Sequence, residues 1–224
     1  MSIYLTLDEA NFDDALLQAT DLINAGGIAV VAAEHGYFYV ANAFNHEALR
    51  QIHILRGDPA YTSSQVIIGS SEVLTGLATD YDQEVKALTD AFWPGLLTIQ
   101  FMTNPGLSWD LGDAGTLSEF AARVPAQRFL RSLALKTGPL AAASAAIFGT
   151  GPSREIQFVP AHESSIAIYI DEGALPEGPA SSLVHRRTLG KPGGLELIRV
   201  GAISLEELQA IVPTLTLLAL DEAR

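Results

Sequence analysis

The sequence predicts a mixed α/β fold, a single domain whose helices and strands alternate irregularly around one sheet. About four or five helical segments interleave with about seven strand-like runs in no regular strand–helix repeat, which favours a mixed sheet over a doubly wound one. The chain has 224 residues and is 48% hydrophobic, enough for the core of one domain. No internal repeat or low-complexity linker divides it, and the Pro/Gly-rich stretches 172–180 and 188–194 read as loops within that domain.

Taken in order, residues 8–25 place Phe12, Ala15, Leu16, Ala19, Leu22 and Ile23 on one face at helical spacing, and Gly26-Gly27 supplies the stop. IAVVAA (28–33) is a short apolar run suited to a buried strand, whereas EHGYFYVANAF after it is polar and aromatic by turns. Leu49, Ile52 and Leu55 carry a second helix over 46–56, which Gly57 and Pro59 break. QVIIG (65–69) reads as a strand, and Ser70 or Ser71 can cap a short helix after it. Val85, Leu88 and Phe92 share a face over 81–92, and that helix stops at WPG. LLTIQFM (96–102) and EFAARV (119–124) read as strands around the loop NPGLSWDLGDAGT, followed by a helix over 127–136. Residues 139–144, SIAIYID (165–171), SSLVHRR (181–187) and LELIRV (195–200) are strand-like. Ser204 with Glu207 forms the capping box of a last helix, SLEELQAI.

Charge and composition narrow the function classes. Thirteen basic against 26 acidic residues give a net charge of −13, so the molecule as a whole repels a phosphate backbone and RNA or tRNA binding is disfavoured without a local basic patch. The cations are uneven: Arg123, Arg128, Arg131 and Lys136 fall together, then Arg154, then His185, Arg186, Arg187, Lys191 and Arg199. No apolar run reaches the roughly 18 residues of a membrane helix, and the N-terminus is acidic where a signal peptide is basic, so a cytoplasmic protein with no membrane partner is expected. The absence of cysteine excludes disulfides, thiol nucleophiles and thiolate zinc sites. His35, His46, His53, His162 and His185 lack metal-ligand spacing, so no metal site is expected.

No P-loop, dinucleotide fingerprint or nucleophile elbow occurs. Polar residues nonetheless stand at strand ends, where a pocket needs them. Glu34 and His35 follow IAVVAA, Arg123 ends EFAAR, Ser144 ends PLAAAS and Arg199 sits late in LELIRV. An arginine in a strand fit for burial requires a partner, because an unpaired buried charge costs several kcal/mol. Each of the two arginines reads as a structural ion pair or an anion ligand; with the small-residue stretch TGPLAAASAAIFGTG they point to an anion-binding cleft. His35 at the rim suits a base or a hydrogen-bond donor.

The order of several short phrases resembles the YrdC/YciO-like family, which includes threonylcarbamoyl-AMP synthases. The resemblance runs from about Leu22 to Ile211 and places a YrdC-like domain at 8–212 with a tail at 213–224. GGIAVVAAEHGYFYVANAF…LRGDP resembles the family's opening, Pro-Thr-Glu-Thr-x-Tyr-Gly-Leu followed by Lys-x-Arg-Pro. FWPGLLTIQF resembles Trp-Pro-Gly-Pro-Leu-Thr, AARVP resembles Val-Arg-x-Pro, and GPLAAASAAIFGTGP resembles Gly-x-Pro-Leu…Ser-Ala-Asn-x-Ser-Gly. SSLV and LELIRVGAISLEEL resemble the closing strand phrases. The fold this implies is a twisted mixed parallel and antiparallel sheet, flanked by helices around an open cleft. The implied activity is a nucleotidyl transfer, joining L-threonine, bicarbonate or carbon dioxide, and ATP with Mg²⁺ into threonylcarbamoyl-AMP for tRNA modification; double-stranded RNA binding is also described for the family. By resemblance Arg123 meets the threonine, Ser144 and the loop after it meet ATP and threonine, Ser182 contacts substrate and Arg199 meets the nucleotide.

The chain departs from these phrases at specific places. Pro-Thr-Glu-Thr is Ala32-Ala33-Glu34-His35, Lys-x-Arg-Pro is Arg56-Gly57-Asp58-Pro59, and the Asn of Ser-Ala-Asn is Ala146. Arg for Lys changes the shape of a phosphate contact, and Asp58 for a cation alters the local charge by two units beside a polyanion. Three readings stay open from sequence: an active synthase or an enzyme of related ATP-dependent carbamoylation, a relative that binds nucleotide, amino acid, small molecule or RNA without turnover, or a pocket reshaped for another acylated or phosphorylated small molecule with His35 in a new role.

Overall fold

The computed structural model describes residues 2–116, 118–160, 165–186 and 194–218. In chain order its elements are β1 (Ile3–Thr6), α1 (Phe12–Asn24), β2 (Ile28–Ala32), β3 (Tyr37–Asn42), α2 (His46–Arg56), β4 (Gln65–Ile67), α3 (Leu74–Leu77), α4 (Gln83–Phe92), β5 (Leu97–Met102) and β6 (Glu119–Arg123). There follow α5 (Arg128–Thr137), β7 (Leu140–Ser144), β8 (Ile166–Asp171), β9 (Ser182–Arg186), β10 (Leu195–Arg199), α6 (Leu205–Ile211) and β11 (Thr216–Leu217). All the strands join one sheet in the order β1-β8-β2-β3-β7-β4-β6-β5-β9-β10-β11. Parallel pairs (β1 with β8, β2 with β8, β4 with β6, β5 with β9) sit among antiparallel ones (β2 with β3, β3 with β7, β5 with β6), so the sheet is mixed.

The sheet is apolar on both faces at its centre. In β2, Ile28, Val30 and Ala32 belong to the core that α2 covers, while Ala29 and Val31 belong to the core beneath α1 and α5. A strand buried on both sides needs no polar alternation, which is why IAVVA reads as a continuous apolar run. The same property hid β3: its tyrosines and valine are fully buried, and their aromatic and polar atoms mask a strand signal.

Helix ends follow local chemistry. The helix expected from residue 8 begins at Phe12, because Asp8 accepts from the backbone N–H groups of Ala10 and Asn11 while Asn11 accepts from that of Asp8. It closes on Gly26 at φ +91°, whose N–H donates to Ile23, with Gly27 N–H donating to Leu22. Helix α2 spans the expected residues, capped by Asn45 and ended by Gly57 at φ +66°. Helix α4 starts two residues later than expected, since Asp82 caps it through the N–H groups of Glu84 and Val85. Ser204 and Glu207 form the capping box of α6. Edge strands β1 and β11 carry the sheet past both ends of the 8–212 span. Arg187, Lys191, His162 and residues 219–224 of the tail lie outside the described residues.

Tyr37 locks the turn after β8 beside the cleft. Its buried hydroxyl accepts from the Glu172 N–H at 2.9 Å and faces the Gly173 carbonyl at 2.9 Å and Asp171 Oδ1 at 3.1 Å. Tyr37→Phe strands these backbone groups and is expected to cost about 1–3 kcal/mol in urea unfolding; an unchanged midpoint would show that water replaces the hydroxyl.

Candidate functional site

Strand ends and turns meet at a cleft of about 490 Å³. Ala142, Ala143 and Ser144 of β7 and Phe38 of β3 form one wall; the segment before β9, Glu177 to Ser181, forms another. Because β7 offers only small side chains here, a ligand can come close to the backbone.

At the centre lies Arg123, at the end of β6 and only 3% exposed. Its Nη1 and Nη2 donate to Glu34 Oε1 and Oε2 at 2.7 and 2.8 Å, a bidentate pair, and the Ala126 N–H donates to Oε1 at 2.8 Å. Burial pushes the Glu34 carboxyl up, but the Arg123 guanidinium and the Ala126 N–H outweigh it and hold the group below the usual carboxylate range.

The wall formed by the end of α2 is a second network. Asp58, 1% exposed, accepts from Arg56 Nε at 2.9 and 3.1 Å and lies 2.8 Å from His53 Nδ1. Arg56 Nη1 donates to the Ser144 carbonyl and to that of Ala146 at 3.3 Å, so it pins the loop after β7. Asp58 thus spends both carboxylate oxygens on protein partners. Ala146 is buried, and its carbonyl is what the network uses.

A polar row crosses the opposite wall. Gln65 Nε2 donates to Thr98 Oγ1 at 2.8 Å, Thr98 Oγ1 meets Ser181 Oγ at 2.8 Å, and Arg199 donates to the Ser181 carbonyl at 3.0 and 3.1 Å. Ser182 faces the other way: fully buried, its hydroxyl donates to the Ile203 carbonyl at 2.6 Å and accepts from the Gly201 and Ile203 N–H groups. The hydroxyl on the cleft side is that of Ser181, one residue earlier, as strand alternation requires. His35 lies at the rim with Nδ1 3.2 Å from the Pro176 carbonyl, its ring so close to Gly178 that an added Cβ would fall 2.3 Å from it.

Four arginines (Arg56, Arg123, Arg154, Arg199) and three carboxylates (Glu34, Asp58, Glu177) line the cleft, which leaves it one charge positive with histidines neutral in a chain of net −13. Among the described residues, Arg199 is the one cleft arginine without a carboxylate partner; Arg154 pairs with Glu177 at 3.4 Å in solvent. Glu34, His35, Arg56, Asp58, Arg123, Ser144 and Arg199 thus gather in one cleft, while Ala146 and Ser182 stand behind its surface. His53, Ser64, Gln65 and Ser181 join the site without having been singled out from sequence. Only Ser181 carried a readable signal, as the residue before an inward-facing serine.

Behind the cleft, Glu172 takes Gln127 Nε2 at 2.5 Å on one oxygen, and the other has no hydrogen-bond partner among the described residues. Burial pushes its carboxyl up to about 7, with the Gln127 bond opposing.

The sequence matches the family model Sua5/YciO/YrdC, described as telomere recombination, over residues 21–201. It is 28% identical over 199 residues to a putative threonylcarbamoyl-AMP synthase of Mycobacterium tuberculosis, covering 88% of each chain. It is also 28% identical over 214 residues to the threonylcarbamoyl-AMP synthase of Pyrococcus abyssi, covering 95% of this chain but 61% of that one. Among solved structures, a doubly substituted Sua5 of Pyrococcus abyssi superposes with a TM-score of 0.87 at 25% identity, over 100% of this chain and 64% of its own. The same protein complexed with L-threonine gives 0.81 at 24% identity, over 100% and 64%. YciO of Escherichia coli gives 0.75 at 16%, over 93% and 100%, a likeness of fold.

Glu172 yields a pH test. A carboxyl whose folded-state value is raised favours the neutral form, so its contribution to stability is present below the ordinary carboxylate range and is lost as pH rises to about 7. Glu172→Gln is expected to raise the thermal midpoint above that pH and to leave it nearly unchanged in acid. A gain of equal size at both ends would place the cause elsewhere.

Proposed function

The chain belongs to the Sua5/YciO/YrdC family, and from that membership we propose that it is a threonylcarbamoyl-AMP synthase. The observation that carries the proposal is the convergence, in one cleft, of a buried arginine fixed by Glu34, an arginine, Arg199, with no carboxylate partner among the described residues, and a strand end stripped to alanine and serine. The chemistry requires these elements. The amine of the amino acid attacks carbon dioxide, forming a C–N bond and losing a proton. The resulting carbamate oxygen attacks the α-phosphorus of ATP, and the bond to the bridging oxygen breaks as pyrophosphate leaves. Charge grows on the transferred and leaving oxygens, so preorganised cations and short N–H contacts lower the barrier.

In this reading Arg123 orients the amino-acid carboxylate with donors that Glu34 does not use. Ser144 and Ser181 place hydroxyls near the carbamate, and Arg199 meets the phosphates. Mg²⁺ enters as an ion carried by the nucleotide, where it offsets phosphate charge. The cleft carboxylates suit no direct ligation: Glu34 and Asp58 are committed to arginines, and no cluster of three His, Asp or Glu residues that could hold a metal occurs among the described residues. The product is an activated acyl donor, consistent with transfer to a tRNA adenosine. With a net charge of −13, the RNA contact is expected to be weak and steeply salt-dependent.

A second reading, ligand binding without turnover, is favoured by two observations. Arg56 spends its Nε and Nη1 on the protein, and Ala146 offers no amide. Pyrophosphate release from L-threonine, bicarbonate and Mg-ATP, beside an active relative, separates the two. Release above background that falls at least about tenfold in Arg199→Ala, roughly 1.4 kcal/mol of transition-state stabilisation, supports the synthase. No release, with threonine binding still measurable by calorimetry, selects the second reading.

A further inference from the structure

We infer that Arg154 is an anion-binding residue of the cleft whose place for a ligand Glu177 fills in the ligand-free protein, so that an incoming phosphate group displaces that carboxylate. The inference deepens the proposed function and rests on it only for the identity of the anion. Arg154 lines the cleft but takes no part in the roles given to Arg123, Ser144 and Arg199. Its backbone is fixed: its carbonyl accepts from the Leu175 N–H at 2.8 Å, and the Ser153 carbonyl accepts from the N–H of Tyr37, the first residue of β3, at 2.8 Å. Its side chain is held far less. Nη1 meets Glu177 Oε2 at 3.4 Å, longer than a good charge-assisted hydrogen bond, and the two side chains are 48% and 92% exposed. Nε and Nη2 make no hydrogen bond among the described residues. By contrast Arg123 is bound bidentately by Glu34, Arg56 commits Nε and Nη1 to the protein, and Arg199 commits Nε and Nη2 to Ser181. Among the described residues Arg154 is therefore the cleft arginine with the most donors left for a ligand.

Glu177 reaches Arg154 from a strap. Residues 172–181 run from the end of β8 to the start of β9, and six strands stand between those two in the sheet, so the segment bridges the mouth of the curve. Backbone bonds hold it independently of Glu177: the Leu175 N–H donates to the Arg154 carbonyl, and the Ala180 carbonyl accepts from the Ala202 N–H at 2.9 Å. Exchanging the partner of Arg154 therefore costs one exposed ion pair, which contributes little net stability, and leaves the path of the strap intact. A phosphate brings more charge than one carboxylate and sets two oxygens against the guanidinium fork, a match that the single 3.4 Å contact to Glu177 does not make. The exchange also restores a balance. The chain carries Asp58 where the phrase it resembles has a cation, and Arg154 brings a cation to the same cleft from another loop.

Calorimetric titration with magnesium-free pyrophosphate at low salt tests this in a double-mutant cycle of Arg154→Gln and Glu177→Gln. Both side chains are largely exposed, so the variants are expected to keep the wild-type thermal midpoint. Glu177→Gln is expected to bind pyrophosphate about threefold more tightly, because the competing carboxylate is gone. Arg154→Gln is expected to bind it about tenfold more weakly, the loss of one charge-assisted contact. In the Arg154→Gln background, Glu177→Gln is expected to change nothing. An equal gain from Glu177→Gln in both backgrounds means that the carboxylate acts only through its general charge, and overturns the inference. So does unchanged affinity in Arg154→Gln, or the absence of measurable pyrophosphate binding in both the wild-type and Glu177→Gln proteins. Coupling between the two residues in a protein that releases no pyrophosphate from threonine, bicarbonate and Mg-ATP would leave this inference standing and remove the synthase; turnover without coupling would do the reverse.

Discussion

The Glu34–Arg123 pair is the constraint on which the cleft depends. Glu34 lies just past β2 and Arg123 ends β6, and β3, β7 and β4 stand between those strands in the sheet. In a flat sheet four strand spacings amount to about 19 Å, farther than the two side chains can span. Their oxygens and nitrogens nonetheless meet at 2.7 and 2.8 Å. The sheet must therefore twist and coil until the two strand ends approach across the open face. The pair marks the closing point of that curve, and the cleft is the hollow inside it. Burying two charges is costly in itself, and the bidentate geometry with a third donor from Ala126 offsets that cost. Removing either partner would leave the other buried without its counter-ion and release the curvature as well.

Charge distribution gives the hollow its sign. Away from the cleft the chain is strongly acidic, which keeps polyanions at a distance. Inside, arginines are bound by carboxylates in pairs, and among the described residues Arg199 is tethered through Ser181 alone. Such a site attracts a small anion that can enter and make several short contacts. A rigid duplex, which must lay many phosphates along a surface, gains little there.

Much of this was legible in the sequence. Helices α1, α2 and α5 declared themselves because one face of each is buried and the other is wet, and Gly26 and Gly57 ended two of them through positive φ. Glu34, Arg123, Ser144 and Arg199 were legible because a charge or hydroxyl at the end of an apolar strand requires a purpose. Strand β3 was not, since both its faces are buried and nothing alternates; nor was β1, an exposed edge of four residues. The fate of Asp58 could not be read either. Its effect depends on His53, five residues back on α2, and on a carbonyl contributed by a distant loop at Leu111. The burial of Ser182 and the cleft-side place of Ser181 are not legible either, because which serine points inward is fixed by the pairing of β9 with β5.

Three of the altered residues, Arg56, Asp58 and Ala146, form a connected unit, and that bears on whether the cleft has decayed. A wall that had simply lost its function would tolerate a stray aspartate at the surface, because an exposed carboxylate costs almost nothing. Asp58 is instead nearly inaccessible, where an uncompensated charge would cost several kcal/mol. Arg56 compensates it and His53 Nδ1 lies 2.8 Å from it, and Arg56 in turn holds the carbonyl of Ala146, the position whose side chain lacks an amide. Three substituted positions thus sit in one hydrogen-bonded assembly that fixes the loop beside Ser144. The assembly keeps the cleft's small-residue wall in place with different chemistry from the phrase it resembles, and Arg56 still lines the cleft. The wall is thus a hydrogen-bonded unit built from Arg56, Asp58 and the Ala146 carbonyl, and it stands in the same cleft as Arg199.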